Sequence, residues 1–318
     1  MKQLLFVDDE PNLLSGLRRM LRSRNQEWGM DFVGSAQEGL ARLKLGPCHI
    51  VISDMRMPRM DGAEFLNRVR REHPSTVRLC LSGFSDPDMI FRGLGSIHQY
   101  LSKPCEARQL VEILSNILQA ADSLPPALLE RLCQLNSLPV ARVTAEAVRA
   151  ELALPTPRLA AVGRLVSQDL GLSCRLVQLV QSGFFTSPKQ FESIDDTCRT
   201  LGLGRLRQIC ASPDGFWEVE EDEWMFQLSR RAARLGQRAA ALAEENGFQP
   251  AECHLSGLAG RLYGLTELAC KACRWPSQEP QASRFLISLW GLPLQALEAN
   301  PGPSAMVEKA LNEGVWDV

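Results

Sequence analysis

The first 121 residues alternate between short apolar runs and longer amphipathic stretches, and this alternation limits the fold more than any other feature. Five runs have the length and composition of β-strands, and they lie near residues 4–7, 32–33, 49–53, 77–81 and 100–101. The stretch after each run has the apolar spacing of a helix. Strands that alternate with helices form a parallel sheet with helices on both faces. The sequence therefore predicts a doubly wound α/β domain with a five-stranded parallel sheet.

The pattern changes near residue 122, where the strand signals stop and helical spacing of Leu, Ala and Arg continues. Prolines at 125 and 126 follow the last helix of the first region, and such a pair ends a helix and stiffens the connection. We therefore expect a first domain at residues 1–121, a linker at 122–127 and an all-α domain at 128–318. With 318 residues, each domain has enough chain to bury its own core.

Composition excludes several classes of protein. A hydrophobic content of 45% and a charged content of 23% exclude a mostly disordered chain. No apolar run approaches the ~20 residues of a membrane span, and Asp8 and Asp9 come too early for a signal peptide. Ten scattered cysteines are typical of reduced thiols, so we expect a cytoplasmic protein with no membrane partner. The net charge of −2 gives no overall electrostatic reason to bind nucleic acid.

Polar side chains follow the predicted strands at the point where each strand ends. In chain order they are Asp8 and Asp9, Asp54, Ser82, and Lys103. Because the carboxyl ends of parallel strands meet at one crevice, we expect these residues to lie close together. Three carboxylates would repel one another unless a hard cation shares them, and Mg²⁺ binds few carboxylates plus waters. A helix N-cap would explain Asp8 and Asp9 alone, but not five such residues at successive strand ends.

Four segments of the first domain carry a resemblance to a known family. They read FVDDE at 6–10, SDMRMPRMDG at 53–62, LSG at 81–83 and SKP at 102–104. The spacing agrees as well, since Ser82 lies 28 residues and Lys103 lies 49 residues after Asp54. In these features residues 3–121 resemble the receiver domain of response regulators in bacterial two-component systems.

The resemblance implies a phosphoryl-transfer role for the first domain. Asp54 would be the nucleophile that takes a phosphoryl group from a sensor histidine kinase or phosphotransfer protein. Asp8, Asp9, Asp54 and the backbone carbonyl of Arg56 would hold Mg²⁺. The metal and Lys103 would neutralise the phosphoryl oxygens. The domain would catalyse only its own phosphorylation and dephosphorylation.

The resemblance also implies a switch. Ser82 would hydrogen-bond the attached phosphoryl group, and Tyr100 would rotate into the space that Ser82 vacates. The other interpretation of Tyr100 is a partly buried aromatic at a sheet edge. The face around residues 86–95 and Tyr100 would dock or release the helical domain, or pair with a second receiver in a homodimer.

The second region resembles the HDOD domain, a helical output module related to HD-type phosphohydrolases, over residues 128–300. The matching letters are LP at 138–139, QDLGL at 168–172, SI at 193–194 and WGLP at 290–293. Hydrolytic relatives hold metals with several His and Asp, including a His-Asp pair where this chain has Gly260 and Arg261. Of the four histidines, only His254 lies beyond the first domain. A histidine-rich metal centre needs more than one imidazole. We therefore expect the second domain to be non-catalytic, to need no cofactor, and to act by binding an unidentified partner protein.

Two alternatives for the second domain use other residues. Arg230, Arg234 and Arg238 recur at four-residue spacing, as a DNA-recognition helix would require. The acidic run at 218–223 opposes DNA, and a solvated arginine face paired with those acids is the favoured interpretation. A zinc site is the other alternative, and its candidate ligands are Cys253, His254, Cys270 and Cys273. Two cysteines three residues apart on a helix also fit a core pattern.

Overall fold

The computed structural model describes residues 1–83, 91–181, 191–220, 223–297 and 303–316. Within these residues the chain forms two compact units, one built on Met1–Asn136 and the other on most of the residues that follow. The expected linker at 122–127 contains the end of one helix and the beginning of the next. The first unit therefore extends past the expected boundary to Asn136.

The first unit is built around a five-stranded parallel sheet with the strand order β2-β1-β3-β4-β5. The strands are β1 (Lys2–Val7), β2 (Trp28–Val33), β3 (Ile50–Ser53), β4 (Val77–Ser82) and β5 (Gln99–Ser102). Every neighbouring pair is parallel, which confirms the predicted doubly wound α/β class. The register aligns Val7 with Ser53 and Ser82 with Ser102, so the residues after these strands emerge at one edge.

Helices cover the sheet and connect its strands. They are α1 (Pro11–Met20), α2 (Ala36–Leu43), α3 (Gly62–Glu72), α4 (Ala107–Asp122) and α5 (Pro126–Cys133), with a 3₁₀ turn at Arg22–Arg24. The side chains of Ser35 and Asp61 cap α2 and α3 by accepting hydrogen bonds from backbone N–H groups in the first turn. Central-strand side chains such as Leu5 and Val51 are fully buried, as expected for a sheet covered on both faces.

The second unit is mostly helical, as predicted. Its helices are α6 (Arg142–Ala153), α7 (Leu159–Val166), α8 (Leu170–Gln181), α9 (Ile194–Ala211), α10 (Glu223–Glu245), α11 (Pro250–Leu262), α12 (Leu265–Ala272), α13 (Gln281–Trp290) and α14 (Pro303–Asn312), with a 3₁₀ turn at Leu294–Leu297. The strand pair β6 (Pro139–Ala141) and β7 (Trp217–Val219) was not predicted, because three-residue strands are too short to give a periodic signal. Of the helices described, none has both the length and the apolar character that crossing a membrane requires.

Glycines allow α10 and α11 to pack closely. A Cβ atom on Gly260 would lie 2.7 Å from the backbone nitrogen and Cα of Gly236, which is far inside van der Waals contact. A Cβ atom on Gly236 would in turn lie 2.6 Å from the carbonyl oxygen of Gly257. The two helix backbones therefore touch at this crossing, and no side chain larger than hydrogen fits between them.

Candidate functional site

Three of the predicted site residues meet where the strands end. Asp8 directly follows β1, Asp54 follows β3, and Lys103 follows β5. The Lys103 ammonium donates hydrogen bonds to Asp8 Oδ2 at 2.6 Å and to Asp54 Oδ1 at 2.5 Å. The side chains of all three are largely buried, with 15% exposure for Lys103, 4% for Asp8 and 10% for Asp54. Lys103 therefore bridges two carboxylates that come from different strands.

Backbone groups fix the second oxygen of each carboxylate. Asp54 Oδ2 accepts a hydrogen bond from the Arg56 N–H at 2.5 Å, and Asp8 Oδ1 accepts one from the Glu10 N–H at 2.9 Å. The loop after β3 is tight, because a Cβ atom on Gly62 would lie 2.1 Å from the Asp54 carbonyl oxygen. The loop geometry therefore depends on glycine at position 62.

The charges at this site are unequal, with two carboxylates sharing one ammonium. Burial raises the pKa of Asp54 and the nearby Asp8 carboxylate adds to the rise, which together outweigh the hydrogen bond and charge of Lys103. Burial lowers the pKa of Lys103, but its hydrogen bonds to Asp54 and Asp8 outweigh burial and leave the pKa raised. Lys103 is thus held in its charged form, and the excess negative charge favours the approach of a cation.

The donors at this edge of the sheet fit Mg²⁺. This ion takes one or two carboxylates and keeps several waters, and Asp8 and Asp54 supply two carboxylates, with the Arg56 carbonyl in the adjoining loop. The Asp9 side chain is exposed. Within the described ranges, no three His, Cys, Asp or Glu side chains group closely enough to hold a metal, so Asp9 does not join the other two in such a group.

The two predicted switch residues lie on neighbouring strands. Ser82 is the last residue of β4, but its side chain and residues 86–90 of the predicted docking face lie outside the described part. Tyr100 on β5 is aligned with Cys80 and is only 4% exposed. Its hydroxyl oxygen lies beside Gly93, where a Cβ atom would be 2.5 Å away. The ring is therefore inside the fold rather than at a solvated edge.

The arginines of the DNA-binding alternative lie on α10, where each partner identified is a residue of the same unit. Arg238 pairs with Glu245 at 2.7 Å and Glu313 at 2.6 Å, and the Arg230 guanidinium lies over the Phe226 ring. The expected pairing with the acidic run differs, because Glu218 pairs with Arg149 and Glu220 with Arg142 instead. Residues 221 and 222 lie outside the described part.

The zinc alternative is not supported by the placement of its residues. Cys270 and Cys273 are buried at α12, whereas Cys253 is half-buried and His254 is exposed on α11. All ten cysteines are free thiols. Arg261, beside Gly260, donates a hydrogen bond to the Ser167 carbonyl at 2.9 Å.

One buried cluster had no role in the sequence interpretation. Arg78 is completely buried, and His98 and Ser96 are exposed by no more than 2%. An arginine inside an otherwise apolar central strand is the signal that could have revealed this cluster, because charged side chains are almost never fully buried unless paired.

Comparison with known proteins agrees with both halves of the chain. A response regulator receiver domain model matches residues 4–115, and an HDOD domain model matches residues 138–272. The hydrogenase transcriptional regulatory protein HoxA of Bradyrhizobium diazoefficiens is 37% identical over 118 residues, which are 36% of this chain and 24% of that protein. The uncharacterized transcriptional regulatory protein YesN of Bacillus subtilis is 32% identical over 125 residues, covering 37% of this chain and 33% of that protein.

Among solved structures, the signal receiver domain of an HD domain-containing protein from Pseudomonas fluorescens Pf-5 is 30% identical. The match covers 39% of this chain and 98% of that one, with a TM-score of 0.37. This chain spans about a quarter of the length of HoxA and a third of YesN. The chain therefore contains a response regulator receiver domain at residues 4–115, followed by an HDOD domain at residues 138–272.

Proposed function

We propose that this chain is a phosphorelay response regulator in which Asp54 accepts a phosphoryl group and thereby switches a helical output. The donor is the phosphohistidine of a sensor histidine kinase or phosphotransfer protein. The observation that carries the proposal is the Lys103 ammonium, which lies 2.5 Å from Asp54 and 2.6 Å from Asp8 at the carboxyl edge of the sheet. This arrangement places a nucleophilic carboxylate beside a fixed cation, as phosphoryl transfer requires.

In the proposed transfer, a carboxylate oxygen of Asp54 forms a bond to phosphorus while the bond from phosphorus to the donor imidazole nitrogen breaks. The electron pair of that bond leaves with the imidazole, and Asp54 becomes an acyl phosphate. The Lys103 ammonium neutralises a phosphoryl oxygen, and the Arg56 N–H orients the carboxylate. Asp8, Asp54 and the Arg56 carbonyl would hold Mg²⁺ there, together with Asp9 once its exposed side chain turned inward, and the ion would supply further charge neutralisation.

After transfer, the hydroxyl of Ser82 bonds the phosphoryl group and Tyr100 reports the change to the surface around it. The buried position of the Tyr100 ring, 4% exposed on the strand next to the one that ends at Ser82, supports this coupling, because a buried ring cannot rotate without displacing its neighbours. The phosphorylated and unphosphorylated forms then differ in the populations of two conformations.

The proposed output is a non-catalytic HDOD domain that binds a partner protein in the cytoplasm. Two observations support it. The only histidine beyond the receiver, His254, is exposed on its helix. Arg261, at the position of the metal-binding pair in hydrolytic relatives, places a guanidinium against the Ser167 carbonyl, where a second cation would be repelled. The ten free thiols are consistent with a reducing compartment.

The test is phosphorylation of the full chain with acetyl phosphate and Mg²⁺, followed by mass spectrometry of the intact protein. The wild type should gain one phosphoryl group, and Asp54→Asn should gain none because an amide oxygen is a poor nucleophile. Asp61→Asn is the matched control, since Asp61 lies in the same loop and asparagine also caps helices. An unmodified wild type, or a phosphorylated Asp54→Asn variant, would contradict the proposal.

A further inference from the structure

Arg78 is a fully buried arginine on β4 whose guanidinium is held by oxygen atoms from three parts of the chain. Its Nε donates to the Ser96 carbonyl at 2.6 Å, and one terminal nitrogen donates to the Thr76 carbonyl at 2.9 Å. The other terminal nitrogen donates to the Cys133 carbonyl at 3.0 Å and to Asn136 Oδ1 at 3.1 Å. A buried charge is costly unless hydrogen bonds satisfy it, so these acceptors are tied to one another through Arg78. Burial lowers the pKa of Arg78 to about 9, which still leaves it charged at neutral pH.

His98 contacts the same carbonyl as Arg78. Its Nδ1 accepts a hydrogen bond from the backbone N–H of Arg78 at 3.0 Å, so the neutral ring carries its proton on Nε2. That Nε2–H then donates to the Cys133 carbonyl at 2.8 Å, and the same nitrogen lies 2.7 Å from the Arg78 terminal nitrogen that donates to this carbonyl. Burial and the charge of Arg78 hold the pKa of His98 well below its usual range, which keeps the ring neutral. Cys133 is the last residue of α5, so two donors cap the negative end of this helix.

Asn136 closes the connection from the other side. While its Oδ1 accepts from Arg78, its Nδ2 donates to the Gly95 carbonyl at 2.6 Å. Arg70 on α3 donates to the same carbonyl at 2.5 Å. The loop that leads into β5 is thus attached at Gly95 and Ser96 to the segment at which the chain leaves the first unit.

The same loop begins beside the proposed switch residue. The Tyr100 hydroxyl fills the space next to Gly93, only two residues before Gly95. Tyr100 itself lies two residues after His98, on β5. A rotation of Tyr100 therefore acts on the loop at Gly93 and on β5, the strand that begins directly after His98.

We propose that Arg78, His98 and Asn136, which we call the strap, transmit the phosphorylation state of the receiver to residues 126–136. The strap couples the loop beside Tyr100 to the C-terminal end of α5 and hence to the chain that enters the second unit. This inference rests on the proposed function, because it takes phosphorylation of Asp54 as the input. It adds a route by which a conformational change at the phosphorylation site reaches residues 126–136, where the chain leaves the first unit.

The test is hydrogen–deuterium exchange of the full chain, with and without acetyl phosphate and Mg²⁺, with the phosphoryl content read from intact mass on the same samples. In the wild type, phosphorylation should change exchange at residues 93–102 and also at 126–136. Asn136→Ala removes the hydrogen bonds to Arg78 and Gly95 but leaves the buried guanidinium in place, so the variant should fold. Without phosphorylation it should exchange about fivefold faster at 126–136, the effect of losing roughly one net hydrogen bond.

On phosphorylation, Asn136→Ala should take up one phosphoryl group and respond at 93–102 but no longer at 126–136. Asn116→Ala on α4 is the control, because Asn116 is similarly half-buried in the same unit, and it should respond as the wild type. Arg78→Met removes the central residue of the strap and should also abolish the response at 126–136. If the Arg78→Met variant does not fold, the result for Asn136→Ala alone decides the question. A wild type without a response at 126–136, or an Asn136→Ala variant that responds fully, would overturn the strap. A wild type that takes no phosphoryl group would overturn the proposed function and the strap with it.

Discussion

Lys103 holds apart two carboxylates that would repel each other strongly if both were charged and buried without it. Its ammonium lies between Asp8 and Asp54, and the other oxygen of each carboxylate accepts a hydrogen bond from a backbone N–H. The unphosphorylated site therefore keeps one negative charge in excess. In the proposed transfer a phosphoryl group would bring more negative charge, so a second cation would be needed beside Lys103.

The role of Lys103 as a counter-ion leads to a prediction with a defined pH dependence. Lys103→Met should lower the free energy of unfolding by about 3 kcal/mol at pH 7, because it leaves two buried carboxylates uncompensated. Burial and the Asp8 carboxylate already raise the pKa of Asp54, and without the ammonium nothing from Lys103 opposes that rise, so the folded state takes up a proton more readily than the unfolded state. The loss should therefore shrink as the pH falls from 7 to about 4. Urea unfolding at several pH values measures it.

Lys103→Arg is the matched variant, because it keeps the positive charge. It should lose less stability at pH 7 and show a weaker pH dependence than Lys103→Met. If Lys103→Met lowered the free energy of unfolding equally at pH 7 and pH 4, lost packing, and not lost charge, would be responsible for the destabilisation.

Some residues of the site could be predicted from the sequence because strand ends are easy to place. Asp8, Asp54 and Lys103 each follow an apolar run, and a parallel register brings such positions together. The exposure of Asp9 depends on the turn after β1, which has no periodic signal. Arg78 was missed because its partners, Cys133 and Asn136, lie more than 50 residues away in sequence.

At the scale of elements, the loop between β3 and α3 is tightly constrained. Gly62 begins α3, and the loop returns so closely that the Asp54 carbonyl occupies the space of a Cβ atom at position 62. The five long strands were visible as apolar runs, whereas β6 and β7 form only through pairing between distant segments. The local hydrophobic pattern therefore predicts strands whose own residues favour the extended conformation. It misses short strands that form only because distant segments pair.

Substitution of Gly62 tests this constraint. Gly62→Ala should lower the free energy of unfolding by about 2 kcal/mol, because a backbone atom cannot move away as a flexible side chain can. Gly16→Ala on α1 is the control, since the space around its Cβ position is open within 4 Å. It should raise the free energy of unfolding by about 0.5–1 kcal/mol through helix propensity. Equal effects of the two substitutions in urea unfolding would contradict the proposed clash.

At the scale of the whole molecule, the reactivity of the cysteines measures the folding of both units, because both units contain buried thiols. The buried thiols are Cys80, Cys133, Cys174, Cys198, Cys210, Cys270 and Cys273, and the half-buried thiols are Cys48, Cys105 and Cys253. Burial raises the pKa of Cys174 and Cys198 to about 12, so their reactive thiolate forms are scarce at neutral pH.

Thiol titration should therefore separate the folded from the unfolded chain. In the native protein, a disulfide reagent should modify no more than the three half-buried cysteines before unfolding exposes the rest. In denaturant without reductant, all ten should react. A total below ten would indicate a disulfide or a tightly held metal, and a rapid reaction of all ten in the native protein would contradict the burial.

The close crossing of α10 and α11 also bears on how this output domain can evolve. Position 260 is where the resemblance to hydrolytic relatives places the histidine of a metal-binding pair. Any side chain there would collide with the backbone at Gly236, so a single substitution to histidine does not fit the packing of α10 against α11. A metal ligand at position 260 would first require the two helices to separate, which would destabilise the unit. A metal centre built into this domain would therefore need changes in the backbones of α10 and α11 as well as in their side chains.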